Sequence, residues 1–549
     1  MLLALSLSLA ADDFEARRFY YGDIHAHTGA SGDAGSSDMG TCLEYGTGAP
    51  ANCGAVADLG ATARANGLDF LATVDHVTSA TATTTTEQWE QVFQQVNDLD
   101  DPDGGFVTLP GAEIFLELED GSDLGHRSLL FFADRPTLAG VTQLDTQPSG
   151  SISNVVVDCA AVSTFMEGLT SRFGDAFLLP HHPGVRKPMA TDWNCYDERY
   201  EPIIEVYSEH GSSMDSTSTF DIPWSGYFEA GTVSNAIHPS KFGLRPGFGA
   251  GTDNHDTHPG QVCNTDTVQT NHPYGGGLTV VVLPEADRFD RSAIHAAMLE
   301  RRVYATTGPH VPLVVEVRLA DGTVLGEMGQ ELVVANGTDL VVEARLPADA
   351  GPAVVDVRAV GPAASWTMVR VGEGTWSVTV PGAEMPENVY VDVTLDAGVI
   401  WSAGCPDGGA DSFDHLWSSP TWFDPEGGDG DGDGFSPEAG DCDDTNPNVY
   451  PGARELCTRA EADQDCDGVP AAEDPDCLGD TGDTGDTGDT GDTGTNLPVK
   501  DTDIPPPTAD DTGVPGPTHR CACAGAGPEG LGLALGLAAL LAASRRRTS

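Results

Sequence analysis

From Phe19 to Gly308 short apolar runs alternate with stretches of helical periodicity. Residues 68–74, 106–110, 128–132, 176–179 and 203–207 are predominantly apolar, rich in β-branched and aromatic side chains, and predicted to be strands. Helices are predicted over 56–66, 87–99 and 291–302. Alternation of this kind favours an α/β domain with a mostly parallel sheet, and its length suits a barrel. After Gly308 the texture changes. Residues 312–319 and 340–346 are Val-rich and alternating, with Gly/Asp turns between them and few helix signals, so 311–423 reads as a small β-rich module, expected to be antiparallel. It carries no catalytic cluster, and support or packing is its expected role.

Residues able to bind metals follow the predicted strands repeatedly: His25 and His27, Asp75 and His76, Glu113, His126, His181 and His182, Glu205, then Asp253 and His255. In α/β sheets the carboxyl ends of strands are where sites are built. In Gly22-Asp23-Ile24-His25-Ala26-His27-Thr28, after the β-favouring Phe19-Tyr20-Tyr21, the two histidines are one residue apart. On a strand end they project to the same side, where one ion can take both. An ordinary polar strand end is the competing reading for a lone His-x-His, and the recurrence at later strand ends weighs against it. Neutral imidazoles and carboxylates bind Zn, Mn or Fe. A carboxylate such as Glu113 has two oxygens and can bridge two ions. Bridged ions about 3.5–4 Å apart activate water and stabilise the charge of a phosphoryl or acyl transition state, so hydrolysis is the expected chemistry.

Among 549 residues, 26 Lys and Arg stand against 85 Asp and Glu, a formal net charge of -59. Nucleic acid and anionic membrane surfaces are therefore poor partners, and divalent cations good ones. Part of this acidity lies after Asp424. There Asp429, Asp431 and Asp433 alternate with glycine and, with Asp441 and Asp443, form a composition suited to Ca²⁺, without the glutamate spacing of an EF-hand. An Asp-Thr-Gly repeat over 480–494 and a Pro/Thr-rich stretch to Thr518 cannot bury a core and read as a solvated spacer. The apolar stretch 524–543, followed by Arg545-Arg546-Arg547, is near the minimum for spanning a bilayer with the arginines inside. Residues 1–11 end in Ser8-Leu9-Ala10-Ala11, which suits a signal-peptide cleavage site. Both ends thus point to export, to the cell surface or outer envelope, where the 12 cysteines can form disulfides. Cys42 and Cys53 would close a short loop; Cys159, Cys195, Cys263 and Cys405 are left unpaired by the sequence.

Five segments in chain order sharpen the site. Gly22-Asp23-Ile24-His25-Ala26-His27-Thr28, Thr73-Val74-Asp75-His76, Leu109-Pro110-Gly111-Ala112-Glu113, Pro180-His181-His182-Pro183-Gly184 and Gly251-Thr252-Asp253-Asn254-His255 resemble the successive motifs of the PHP (polymerase and histidinol phosphatase) superfamily. Arg301-Arg302-Val303-Tyr304-Ala305-Thr306-Thr307-Gly308 resembles the end of its DUF3604 branch. The resemblance spans residues 19–310 and implies a distorted (β/α)7 barrel with a hydrolytic site of two or three divalent ions. It implies that one ion takes His25, His27 and Asp253 and shares Glu113 with a second, which adds His126 and one of His181 and His182. A third would use His76 and His255 with Asp33, in a loop that also holds Asp38 and Glu44. Glu113, Asp253 and His255 are then the expected catalytic residues, acting on a phosphoester through metal-activated water. Arg127, Arg186 and Lys187 adjoin proposed ligands and are candidates to clamp a phosphate, with surface charge as the competing reading. Asp75 reads as a carboxylate behind a ligand or a strand-end cap; His210 and His258 are candidates to face substrate.

Residues from Gly440 to Cys477 resemble the Cys/Asp metal-binding motif of secreted MopE-type proteins, in which Cys442, Cys457, Cys466 and Cys477 could form two disulfides in three pairings. The Cys521 region resembles a MYXO-CTERM sorting tail. The expected organisation is a signal peptide at 1–11, the barrel at 19–310, the β-rich module at 311–423, a Ca²⁺-binding Asp/Cys module at 424–478, a disordered acidic spacer at 479–518 and a sorting or transmembrane segment at 519–549. The expected function is that of a surface-tethered hydrolase of a small, phosphorylated ester. Hydrolysis of a carboxylic or carbamate ester by the same metals, and a non-catalytic metal-binding surface protein, are the alternatives.

Overall fold

A computed structural model describes residues 14–425 apart from 32–54, 77–85, 119–122, 139–153, 261–276, 397–412 and some shorter gaps, and beyond 425 only Cys442, Val449, Asp463, Cys466, Gly468 and Val469. The expected signal peptide, spacer and sorting tail lie outside the described residues. So do Asp33, Asp38, Glu44, Cys42, Cys53, Cys263, Cys405, Cys457, Cys477 and the acidic residues Asp429, Asp431, Asp433, Asp441 and Asp443.

The elements of the first part are β1 (Arg17–Ala26), a helix over Val56–Ala65, β2 (Phe70–Thr73), a helix over Thr86–Leu99, β3 (Val107–Leu118), β4 (Asp123–Phe131), β5 (Asn154–Val156), a helix over Cys159–Phe173, β6 (Ala176–Pro180), β7 (Ile203–Ser208), β8 (Gly211–Ser212), β9 (Gly247–Ala250), β10 (Leu278–Pro284), a helix over Arg291–Leu299 and β11 (Val303–Thr306). All five strands and three helices expected from the apolar pattern are present, with ends moved by a few residues. The helix Thr86–Leu99 shows why the pattern works: Trp89, Val92, Phe93 and Val96, at i, i+3, i+4 and i+7, form its buried face. The helix Arg291–Leu299 starts where the Asp290 side chain accepts a hydrogen bond from the Ala293 amide.

The second part contains β12 (Val314–Leu319), β13 (Val324–Glu327), β14 (Glu331–Val334), β15 (Leu340–Arg345), β16 (Val354–Val360), β17 (Ser365–Thr367), β18 (Val369–Gly372), β19 (Thr375–Val380), β20 (Asn388–Asp396), β21 (Phe413–Ser418) and β22 (Thr421–Pro425). Strands β13-β12-β15-β19-β18 form an antiparallel five-stranded sheet, as the alternating valines predict. The others join the first part. The largest sheet has 14 strands and runs β14-β22-β20-β21-β11-β10-β1-β2-β3-β4-β6, with β5, β16 and β17 off that path. Strand β11 pairs with β21, placing Tyr304 opposite Ser418 and Thr306 opposite Leu416. One apolar core accordingly includes Tyr21, Val280 and Tyr304 together with Val315, Val342, Val391 and Leu416.

The (β/α)7 barrel expected from the resemblance is not what forms. Strand outweighs helix, and large sheets of mixed direction replace a closed ring of parallel strands. Strands β1, β2 and β3 make a parallel run at the sheet's centre, β5 and β22 add single parallel pairings with β3 and β14, and the other neighbours described in this sheet are antiparallel. Strand β10 is antiparallel to both β1 and β11, and β4 to both β3 and β6, while β7 and β9 lie in a separate three-stranded sheet with β8. Connections set these directions. Parallel neighbours need a crossover of about a dozen residues or more, and the step from Leu118 to Asp123 is too short to supply one.

A disulfide joins Cys159 at the start of one helix to Cys195, and a second joins Cys442 to Cys466. Among the described residues no helix is long and apolar enough to cross a membrane.

Candidate metal centre

The last six residues of β1 are buried, so its sheet partners and loops close over the carboxyl end, where His25 and His27 sit. Backbone hydrogen bonds fasten the other loops to that end. The Asp253 amide donates to the His25 carbonyl (2.8 Å) and the His27 amide to the Asn254 carbonyl (2.9 Å). The Glu113 amide donates to Asp75 (3.0 Å), and the His181 amide to His126 (3.2 Å). Gly251 must lack a side chain, because a Cβ there would come within 2.6 Å of the His25 Cβ. Asp253 (φ 58) and His182 (φ 30) adopt positive φ, unusual for residues with a Cβ. Backbone strain of this sort concentrates at functional sites, where surrounding contacts hold it in place.

The side chains converge as a metal centre requires. His25 Nε2 lies 3.0 Å from His27 Nε2, 3.2 Å from Glu113 Oε2 and 3.4 Å from Asp253 Oδ1. His27 Nε2 lies 3.0 Å from Asp253 Oδ1 and 3.5 Å from Glu113 Oε2. An ion held tetrahedrally at about 2.0–2.1 Å from N and O ligands sets them about 3.3 Å apart. The residues therefore fit a divalent ion. Four further groups adjoin: Glu113 with His126 and His182, His27 with His76 and His255, His25 with His181 and Glu205, and His181 with His182 and His210. His126 Nδ1 is 2.7 Å from Glu113 Oε1, yet both atoms are buried without a hydrogen bond of good geometry, as is His182 Nδ1. Buried polar atoms that approach one another in this way suit a shared cation. Glu113 thus turns Oε2 to one group and Oε1 to another, as a bridging carboxylate does.

In four of the rings the other nitrogen is held by the protein, which fixes the ring. His25 Nδ1 meets Ser128 Oγ at 2.9 Å, His27 Nδ1 meets Ser31 Oγ at 2.8 Å, and His255 Nδ1 donates to the Asp253 carbonyl at 2.8 Å. His181 Nδ1 meets Glu205 Oε1 at 2.8 Å. Asp75 accepts from the Thr28 amide, Thr28 Oγ1 and Ser31 Oγ, and so holds the loop behind His27. Asp23 accepts from the His25 and Thr252 amides, joining β1 to the Asp253 loop; burial pushes its carboxyl up to about 7.

Burial pushes the His27 imidazole down to about 3, with His255 and His76 adding to the shift, and pushes His126 down to about 4. Both rings are neutral at pH 7, the form that binds metal. Burial opposes the charge on Glu113, but His76, His126 and His25 outweigh it and hold that carboxyl well below the usual range. A depressed histidine has a signed consequence: the unfolded chain takes up the proton first, so the folded state loses stability as pH falls. In chelator, the stability difference between wild type and His126→Asn is expected to decline from pH 6.5 to about 4 in urea titrations. A difference that grows over this window would contradict a buried neutral ring.

The structure brings together His25, His27, His76, Glu113, His126, His181, His182, Asp253 and His255, all buried except His76, which is part-exposed. Arg127 is a correction. It follows His126 on β4 and points to the opposite face, where Nε pairs with Glu201 at 2.5 Å and Nη1 donates to the Leu124 and His126 carbonyls and to Thr191. It is structural, not a phosphate clamp. Arg186 is exposed, and Lys187 is half-buried with Nζ 5.3 Å from the Phe228 ring centre. His258 is fastened through its amide to Asn254 Oδ1 (2.7 Å). His210 and Glu205 lie closer to the ligands than the motifs suggest: His210 Nε2 is 2.5 Å from Asp253 Oδ2. Their signal was the position of Glu205 and His210 within and just after β7, whose parallel neighbour β9 leads to Asp253.

Against known families, the model for the copper-binding MopE metal-binding motif matches residues 441–470. No curated protein and no solved structure matches the chain. The chain thus carries a metal-binding motif in its acidic segment, besides the histidine and carboxylate cluster at the end of β1.

Proposed function

We propose that this protein is an exported, surface-tethered, metal-dependent hydrolase acting on small phosphoesters. The observation that carries this reading is the near-tetrahedral spacing of His25, His27, Glu113 and Asp253, flanked by two more ligand groups that share Glu113 and His27. Divalent ions held there would supply an activated water and neutralise charge building on phosphoryl oxygens. The protein's part is to keep His27 and His126 unprotonated, to fix each ring through Ser31, Ser128, Glu205 and the Asp253 carbonyl, and to exclude bulk water from all but the His76, His126 and His210 side. Arg186 and Lys187, a few residues past His182, supply positive charge suited to a phosphate. The Cys159–Cys195 disulfide supports an oxidising compartment. For the 441–470 motif, oxygen-rich aspartates favour Ca²⁺ over the softer ion in the family's name.

Elemental analysis of the purified chain, with hydrolysis of phosphate monoesters, phosphate diesters and carboxylic esters, tests the proposal. Bound transition metal and phosphate release that stops on chelation are expected. Protein without transition metal after preparation in the absence of chelator would refute it; turnover confined to carboxylic esters would replace the substrate class and keep the metals.

A further inference from the structure

We infer that the doubled histidine at 181–182 serves two different cations, and that His181, His210 and the Oδ2 oxygen of Asp253 hold an ion absent from the ligand set implied by the sequence motifs. This position extends the metal centre proposed above and rests on that reading. His182, turned by its positive φ, faces Glu113 and His126. His181 also comes close to His182 and His210, but is turned toward Glu205 and Asp253. Its ring lies against that of His25, with centres 3.8 Å apart, and its Nδ1 is engaged by Glu205 Oε1, which also accepts from the His182 amide at 3.2 Å.

With Nδ1 engaged by Glu205, Nε2 is the His181 nitrogen turned to Asp253. That nitrogen stands 3.3 Å from Asp253 Oδ2, and His210 Nε2 reaches the same oxygen at 2.5 Å. Asp253 Oδ2 is buried without a hydrogen bond of good geometry, and a cation shared with the two imidazoles would satisfy it. The other oxygen of Asp253 belongs to the first ion, 3.0 Å from His27 and 3.4 Å from His25. Asp253 then bridges on this side as Glu113 does on the other. All three side chains are buried, His210 the least at 8% exposed.

The test is zinc content per chain, by elemental analysis after loading with Zn²⁺ and dialysis, for the full-length wild type, His210→Ala, His181→Ala and the double variant. Zinc bound by the 441–470 segment is common to all four and cancels in the differences. Each single variant is expected to lose one equivalent, and the double variant the same one. Wild-type zinc content in His210→Ala overturns the assignment, as does a loss of two equivalents in the double variant. His210→Asn, checked by circular dichroism, separates a lost ligand from a lost fold: a folded His210→Asn short of one equivalent supports the site, and one with full zinc overturns it. Wild type without zinc would overturn the metal centre itself, and this position with it.

Discussion

His25→Ala is expected to lower phosphoester hydrolysis on the order of 10³-fold or more, because it removes one corner of the ligand tetrahedron and leaves Glu113 Oε2 and Asp253 Oδ1 facing His27 alone. His25 is fully buried and its far nitrogen is engaged by Ser128, so no neighbouring side chain can swing in to replace it. Ser128→Ala makes the graded comparison: the ligand stays but its ring is no longer fixed, and metal affinity is expected to fall about 10- to 100-fold. Initial rates on a phosphate monoester, measured with added metal at several concentrations, separate the two. High metal should restore much of the activity of Ser128→Ala and little of that of His25→Ala. Activity of His25→Ala within tenfold of wild type would rule out a catalytic role for this cluster.

Replacing Arg127 by methionine should cost about 3–5 kcal/mol of stability, the largest effect expected of any charged residue outside the metal centre. Arg127 and Glu201 are both essentially buried, and burial already pushes the Glu201 carboxyl up. Without the guanidinium, Glu201 keeps the Asp197 amide at 2.9 Å as its partner, and the Leu124 and His126 carbonyls lose a donor. Arg127→Met combined with Glu201→Gln should recover a good part of the loss, since the uncompensated charge is what costs most. Urea denaturation in chelator measures both variants. A loss under about 1 kcal/mol in the single variant would show that solvent reaches the pair after all.

The sequence disclosed the site more fully than the fold. Most described members of the ligand set sit at a strand end or in the loop beyond it, while Glu113 and His126 lie within β3 and β4, and the period-two spacing of His25 and His27 is a local property that tertiary context does not alter. Strand direction is not local in this sense. Apolar runs reveal that residues 106–110 and 128–132 are extended, but the short link between β3 and β4 makes them antiparallel, and the helix before β11 joins antiparallel strands instead of crossing between parallel ones. The misreading of Arg127 had a simpler cause. Adjacency to His126 in sequence suggested a shared site, whereas neighbours along a strand face opposite ways. His210 stayed obscure for the converse reason: a lone loop histidine acquires meaning only when the fold brings Asp253 to it.

The pairing of β11 with β21 bears on how this chemistry could be inherited or transplanted. Because residues beyond Gly308 supply both the neighbouring strand and much of the apolar core beneath β1, the ligand-bearing half has no clean seam at which recombination could detach it. Ser419 reinforces the join, accepting from the Phe248 amide and donating to the Val303 carbonyl, as does the Arg245–Asp424 ion pair. The smallest heritable unit of this metal centre therefore extends to β22, and a gene fusion ending at Gly308 would transmit the ligands without the scaffold that orients them.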